Sequence, residues 1–468
     1  MTSILPEVAA IENRIQSFFQ NMCVGPLFRQ CNLNKEKGVS LETLYQFLVA
    51  LVFTGRNLYR LHDSNSLPAG IAKDTVYRLL NSTAVNWRRF LHLLSTQVIV
   101  QRLLPLTDEK TTKVLIADDT LYKRDRSKHV ELLARIHDHN TKRYHRGFRM
   151  LTLGWSDGNS FVPLSVSVLS SPKETNRLVP MRNDLDKRSN GYKRRRESMR
   201  NTTDILIDMV SLAISAGAKA RHLLVDSWFA FPATLRRLKF LGMDTVCMLK
   251  DTGTIHYEMQ GWSYTLKELY QSVRKRCGRA KVLAEVEVTI GEDEKGVPVA
   301  AKIVFVRDRS TKNWLALLST DTTLSAEEII TLYRRRWDIE VFFKIAKSFL
   351  QLAKEFQSRS FDAVVAQATL VCCRYIMLEL SRREQNDPRT LGSLFYAVSD
   401  EMQQIGFTEA LALLLKLLEE ALSQFVGLCK EQVQKFIQCF IVSLPSLYKD
   451  KMLLLTQNGQ INLSKSVG

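Results

Sequence analysis

The chain has 468 residues, 45% of them hydrophobic, enough to bury one large core with one or two attached domains. Its 66 Lys and Arg outnumber 48 Asp and Glu, and the formal net charge of +18 points to a polyanionic partner, nucleic acid before membrane. No apolar run is expected to span a membrane, no signal segment is expected at the N-terminus, and the eight cysteines lack paired metal spacing, so they are expected as reduced thiols in a cytoplasmic protein.

Residues 1–106 read as helices. Ser40 caps an apolar run to Leu51, a turn-rich break covers 63–70, and 73–80 with 85–94 form a second helical pair. Arg56, Arg60, Arg78, Arg88 and Arg89 would project from these helices, which serve either as a DNA-binding domain or as a structural cap. The character changes at Thr112. A β-rich run at 113–117 ends in Asp118, Asp119 and Thr120, and two acids at a strand end suit a hard divalent cation or a solvated turn. The basic stretch 122–149 contains His129, His137, His139 and His145; the pair His137 and His139 lacks a fixed third ligand, so phosphate contacts or plain surface are preferred to a transition metal.

Residues 148–155 and 161–169 read as strands about a turn at Asp157 and Gly158. From 170 to 200 the chain is polar and ends in Lys193, Arg194, Arg195 and Arg196, a solvated linker or a DNA-facing arm. A helix at 202–216 leads to a strand at 222–225 that ends in Asp226, followed by Ser227, Trp228 and Phe229. With a helix at 232–238 and a strand at 245–249, this describes an α/β sheet whose carboxyl ends carry acids, where ligand sites are expected. After Lys250 the pattern is sheet without helices, with strands at 281–290, 299–307 and 314–319 and a hairpin loop at 291–296.

A capping box at Ser325 and Glu328 opens a helix running to Leu350. On it Tyr333, Arg336, Glu340 and Lys347 share one narrow face beside an apolar stripe, either as a solvated face or as a carboxylate among phosphate-binding groups. Further helices are expected at 361–382, 390–406, 408–426 and 429–443, before a disordered tail at 458–468. Asp118, Asp226 and Glu340 thus lie in three separate elements. Phosphodiester cleavage or strand transfer needs such a carboxylate set, because it holds two Mg²⁺ ions about 3.5–4 Å apart.

Tyr333, Arg336, Glu340 and Lys347 match a Y-(2)-R-(3)-E-(6)-K signature, and the stretch YRRRWDIEVFFK resembles DDE transposases of bacterial cut-and-paste insertion sequences, the IS-four family and its Tn-five-like branch. The resemblance covers roughly residues 112–360 with motifs and the remainder by layout. It implies an α/β, RNase H-like core interrupted by a β-rich domain, divided as 1–106 helical and DNA-binding, 107–250 first part of the core, 251–322 insert, 323–360 catalytic Glu helix, 361–457 helical and dimerising, and 458–468 tail. It further implies that Asp118, Asp226 and Glu340 bind two Mg²⁺ ions, with Mn²⁺ as the alternative. Asp119 stays open as the first acid. Tyr333, Arg336 and Lys347 would contact the DNA backbone, and Trp314 would stack on a flipped base, unless it is a buried strand tryptophan. The implied partners are terminal inverted repeats and target DNA, bound by a homodimer that forms hairpins and then joins 3′ hydroxyls to target. The competing readings are an inactive DNA-binding derivative and a nuclease without strand transfer. One departure is Trp228, which stands where the family pattern has a small residue.

Overall fold

A computed structural model describes residues 14–403, apart from 35–36, 66, 69, 139–140, 277–279 and 309–312, together with isolated helical positions between 414 and 440. His139, the tail, and most of the helices expected at 408–426 and 429–443 lie outside the described residues.

Six helices come first: α1 Arg14–Asn21, α2 Val24–Arg29, α3 Leu41–Leu51, α4 Leu58–Asp63, α5 Lys73–Leu80 and α6 Trp87–Val98. Ser40, Asn57 and Asn86 start α3, α4 and α6 by accepting hydrogen bonds from backbone N–H groups of the first turn. Their buried faces meet in an aromatic cluster of Phe19, Phe28, Tyr45, Trp87 and Phe90.

The middle of the chain then forms β1 Val114–Lys123, β2 Ala134–Asp138, β3 Arg143–Ser156, β4 Phe161–Leu169, α7 Asn190–Ser198, α8 Thr202–Ser215, β5 His222–Val225, α9 Pro232–Phe240 and β6 Asp244–Leu249. Neighbouring strands run in the order β4, β3, β1, β5, β6. β3 runs antiparallel to both of its neighbours, β4 and β1, whereas β5 and β6 are parallel to β1. Every residue of β4 is buried, because α6, α7, α8, α12 and α13 (the last two defined below) all pack on it. That cover on both faces buries Ser165 and Ser167 along with the apolar residues, so the alternation in the second half of the strand does not mark a solvent face.

The inserted block contains β7 His256–Met259, β8 Trp262–Thr265, α10 Leu266–Ser272, β9 Val282–Glu292, β10 Pro298–Arg307 and β11 Trp314–Ser319. One of its features corrects the sequence reading: it includes a helix, α10, started by a capping box between Thr265 and Glu268. Its strands join the core sheet, since β11 pairs antiparallel with β6, Ala316 opposite Leu249, and the insert extends that sheet edge to edge.

The expected helix at 324–350 is two helices, α11 Ala326–Arg334 and α12 Trp337–Ser348. Its capping box at Ser325 and Glu328 is present. The break falls in the arginine run, where the N–H groups of Arg335 and Arg336 bond three residues back, to Leu332 and Tyr333, and Arg335 reaches across to the carbonyl of Thr112. The chain continues into α13 Phe361–Glu384, long and apolar enough to cross a membrane, contrary to the expectation from sequence. Its most apolar window is 94% buried, so it is the central helix of the fold, apolar all round because protein surrounds it. Its polar residues face partners: Arg374 pairs with Glu355 at 2.6 Å and donates to the carbonyl of Val49 at 3.2 Å, tying α13 to α3. Cys23, Cys31, Cys247, Cys372, Cys373 and Cys439 are free thiols.

Candidate active site

β1 and β5 lie side by side, with Ala117 opposite Val225 as their last pair. Asp118 and Asp226 are the next residue of each chain, so strand register alone brings them to adjacent positions. β1 does not end at the acids as the sequence suggested; it runs on to Lys123 against β3, with Asp118 opposite Thr152 and Asp119 opposite Leu151. Successive side chains of a strand point to opposite faces, and the two acids accordingly part company. Asp118 Oδ2 accepts from Arg336 Nη1 at 2.9 Å, and Lys347 Nζ bonds Thr120 Oγ1, so residues 118 and 120 face α12. Asp119 is turned the other way and accepts from Arg149 Nη1 at 2.8 Å.

Arg336 Nη1 also donates to Glu340 Oε1 at 3.2 Å, placing one guanidinium between the first acid and the last. Tyr333 holds that guanidinium from beneath, with its ring centre 5.9 Å from the Arg336 Cζ atom. Asp226 caps the short turn Ser227–Phe229 by accepting the Ser227 N–H at 2.6 Å. A single open cavity of about 750 Å³ is lined by Asp118, Asp226 and Glu340 together with Lys344, Lys347 and Trp228. The break between α11 and α12 therefore does not scatter the polar face expected of one helix: Tyr333, Arg336, Glu340 and Lys347 all remain within reach of the β1 edge.

Burial dominates the electrostatics. It pushes the Asp118 carboxyl up to about 7 despite the opposing pull of Arg336. It also lowers Lys347, with Lys123 adding to the effect. The folded pKa of Asp118 lies above its unfolded value of about 3.9, so the stability it contributes is complete below that value and is lost as pH rises through about 7. In the presence of a chelator, the stability of the wild type, read from melting curves, should fall relative to Asp118→Asn between about pH 4 and 7, by an amount on the order of 1–4 kcal/mol. Melting curves that stay parallel across that range would contradict it.

Among the described residues, no group of three or more His, Cys, Asp or Glu stands close enough to hold a metal ion in this conformation. The space between Asp118 and Glu340 is taken by the Arg336 guanidinium, itself a cation. The donors facing the cavity are carboxylate oxygens without thiolates, a set that suits a hard divalent ion once the guanidinium gives way.

A family model described as DDE superfamily endonuclease matches residues 62–311, more than half of the chain. The chain belongs to the DDE endonuclease superfamily. A second family model, described as "Archaeal putative transposase ISC1217", matches residues 285–380 of this DDE endonuclease. The first match contains Asp118 and Asp226 and the second contains Tyr333 to Lys347, and together they support a DDE transposase with an RNase H-like core. No curated protein matches the chain. DDE-type nucleases act with divalent metal ions, in keeping with the carboxylate chemistry of this cavity.

Several expected DNA contacts are placed elsewhere. Arg195, on α7, is fully buried and pairs with Glu131 and Asp362, each at 2.7 Å; it cannot reach DNA. Arg194 is held against the carbonyls of Val85 and Asn190 and beside Asp362. The supposed linker or arm thus contains a helix docked on the core by the middle of its basic run, and of the four cations in that run Lys193 and Arg196 are the exposed ones. Trp314 packs against Tyr270 and Phe305, with ring centres 4.9 and 5.2 Å away, and does not line the cavity. It is a strand tryptophan of the insert. The residue that sequence reasoning flagged without assigning is Trp228, 53% exposed at the cavity edge. Arg149, which neutralises Asp119, was missed altogether. The alternation of side chains along β1 was the available signal, because it requires the two adjacent acids to have different partners.

Proposed function

We propose that this DDE endonuclease is a cut-and-paste transposase that binds the ends of its own element, cleaves them through nicks and hairpins, and joins the freed 3′ hydroxyls to target DNA. The observation that carries this reading is the convergence of Asp118, Asp226 and Glu340, from the middle of β1, the end of the adjacent β5 and one helix, on one basic-walled cavity. These acids would hold divalent cations, two Mg²⁺ or Mn²⁺ ions, which when bound activate the attacking hydroxyl and stabilise the leaving oxygen.

The remaining chemistry belongs to the chain. Arg336, seated on Tyr333, exchanges its carboxylate partners for a phosphate oxygen, and Lys347 supplies a second cation on the same side. Asp119, neutralised by Arg149, stays out of the metal set. Lys193 and Arg196 add backbone contacts from the exposed face of α7. The helices of 1–106 bind end DNA, the core of 107–250 and 323–360 carries the acids, the insert of 251–322 braces them, and 361–457 serves the contact between two copies in the synaptic complex.

The test uses the inverted repeats that flank the gene as substrate. Full-length protein with Mg²⁺ should nick this DNA, convert the nicks to hairpins and join the released ends to a plasmid, with none of these steps in chelator. Cutting without joining would reduce the protein to a nuclease. Binding without nicking in either Mg²⁺ or Mn²⁺ would leave only a DNA-binding protein.

A further inference from the structure

Arg336 stands where its own helix disfavours a cation. It is the residue before the first turn of α12, at the positive end of the helix, and its side chain caps no backbone N–H there. Its pair with Glu340 runs cation first, the weaker order for two residues four apart on a helix. Yet the side chain is only 16% exposed, wedged between the Tyr333 ring of α11 and Asp118 of β1. Burial works against its charge, but Tyr333, Asp118, Asp226 and Glu340 outweigh that cost and raise the Arg336 pKa. What holds this cation in place is therefore the set of acids that the cavity collects.

The same contact shuts the site to other cations. One nitrogen, Nη1, lies 2.9 Å from Asp118 Oδ2 and 3.2 Å from Glu340 Oε1. A Mg²⁺ ion draws its oxygens to about 2.0–2.1 Å, nearer than that nitrogen keeps them, so guanidinium and ion exclude each other between these two carboxylates. Lys347, the other cation of this face, is arranged differently, because its hydrogen bond goes to the Thr120 hydroxyl rather than to an acid. A phosphate offers a guanidinium the same charge-assisted acceptors as the carboxylates do, and so can take the arginine over from them.

We propose that Arg336 is an internal stand-in for the metal, a guanidinium lock that keeps divalent ions out of the free protein and is withdrawn when a DNA phosphate takes over the arginine, so that metal loading follows DNA binding. The lock rests on the carboxylate cavity being the metal site. It means that the free protein meets DNA with its acids neutralised, and that they become available for metal only where a phosphate is already in place. The coupling is reciprocal: the factor by which DNA tightens metal binding is the factor by which metal tightens DNA binding.

The deciding measurement is made on full-length protein without DNA, by titration with Mn²⁺ and the paramagnetic resonance signal of the free ion. Arg336→Met keeps an unbranched apolar stem without the charge, and should bind Mn²⁺ about 10–100-fold more tightly than the wild type. Lys347→Met removes an equal charge from the same cavity and should stay within about 3-fold of the wild type, which separates a lock from a general change in potential. Arg336→Gln should bind as Arg336→Met does, and replaces it if the methionine variant fails to fold. A duplex that ends at the outer boundary of a terminal repeat, with no bond left to cut, should then tighten Mn²⁺ binding by a larger factor in the wild type than in Arg336→Met. Ion taken up by the duplex itself is subtracted with an Asp118→Asn/Asp226→Asn complex. Equal Mn²⁺ affinity of the free wild type and the Arg336 variants, or an equal gain in Lys347→Met, overturns the lock. A protein that shows the lock and never cuts DNA in Mg²⁺ would sink the transposase reading alone; one that cuts, yet binds Mn²⁺ equally well with and without Arg336, would sink the lock alone.

Discussion

Asp226→Asn and Asp118→Asn should each lower metal-dependent nicking of end DNA by about 10³-fold or more, while end binding changes only a few-fold. An amide keeps the size of the side chain but loses the charge and one of the two acceptor oxygens that a divalent ion needs. Binding should survive, because the cations proposed to meet the phosphates are on other residues, Lys347 and Arg336 foremost. The informative comparison is Asp119→Asn. Asp119 also lines the cavity, but its carboxylate is engaged by Arg149 at 2.8 Å rather than by Arg336. Its substitution should weaken nicking far less than either of the other two, with some loss of stability from the unpaired arginine. Equal loss in Asp118→Asn and Asp119→Asn, read as nicked product against time, would mean that both acids serve the metals and that β1 rearranges on binding.

Arg195→Met should destabilise the protein by about 3–5 kcal/mol, read as a large drop in melting temperature, with DNA binding per folded molecule unchanged. The Arg195 guanidinium is wholly buried, pairs with Glu131 and Asp362, and also donates to the carbonyl of Gly191 at 2.8 Å. Asp362 is itself fully buried at the start of α13, so removal of the arginine leaves two carboxylates in the interior with only Arg194 near one of them. Lys193→Ala and Arg196→Ala should shift stability by no more than about 0.5 kcal/mol, because both side chains are in solvent. If Arg195→Met melted like the wild type but bound DNA weakly, the run would be a nucleic-acid arm after all.

That basic run illustrates what a sequence conceals. Four consecutive cations on a helix point in four directions about 100° apart, so a helix docked on a core must turn one of them inward. Which one depends on acids that are remote in sequence, Glu131 and Asp362. Trp314 poses the same difficulty, since only its packing against Tyr270 and Phe305 reveals that its ring is occupied. Signals that act locally were legible: the cap at Ser40 and the capping box at Ser325, the strands of the insert, and the acids after β5 and within β1. The capping box at Thr265 was equally local, and its seven-residue helix was overlooked for its brevity. The break at Arg335 was not legible, since it depends on a carbonyl at Thr112 contributed by another part of the chain.

The ladder between β6 and β11 has a mechanical consequence. Four residue pairs, from Ala316 with Leu249 to Ser319 with Val246, join the insert to the strand next to the one that carries Asp226. A tethered module would swing on its linkers and leave the acids undisturbed. Here backbone hydrogen bonds run without interruption from the far hairpin through β6 and β5 to β1, so the sheet acts as a lever arm. A force applied at its outer edge would be transmitted as a tilt of the plate in which both aspartates are set.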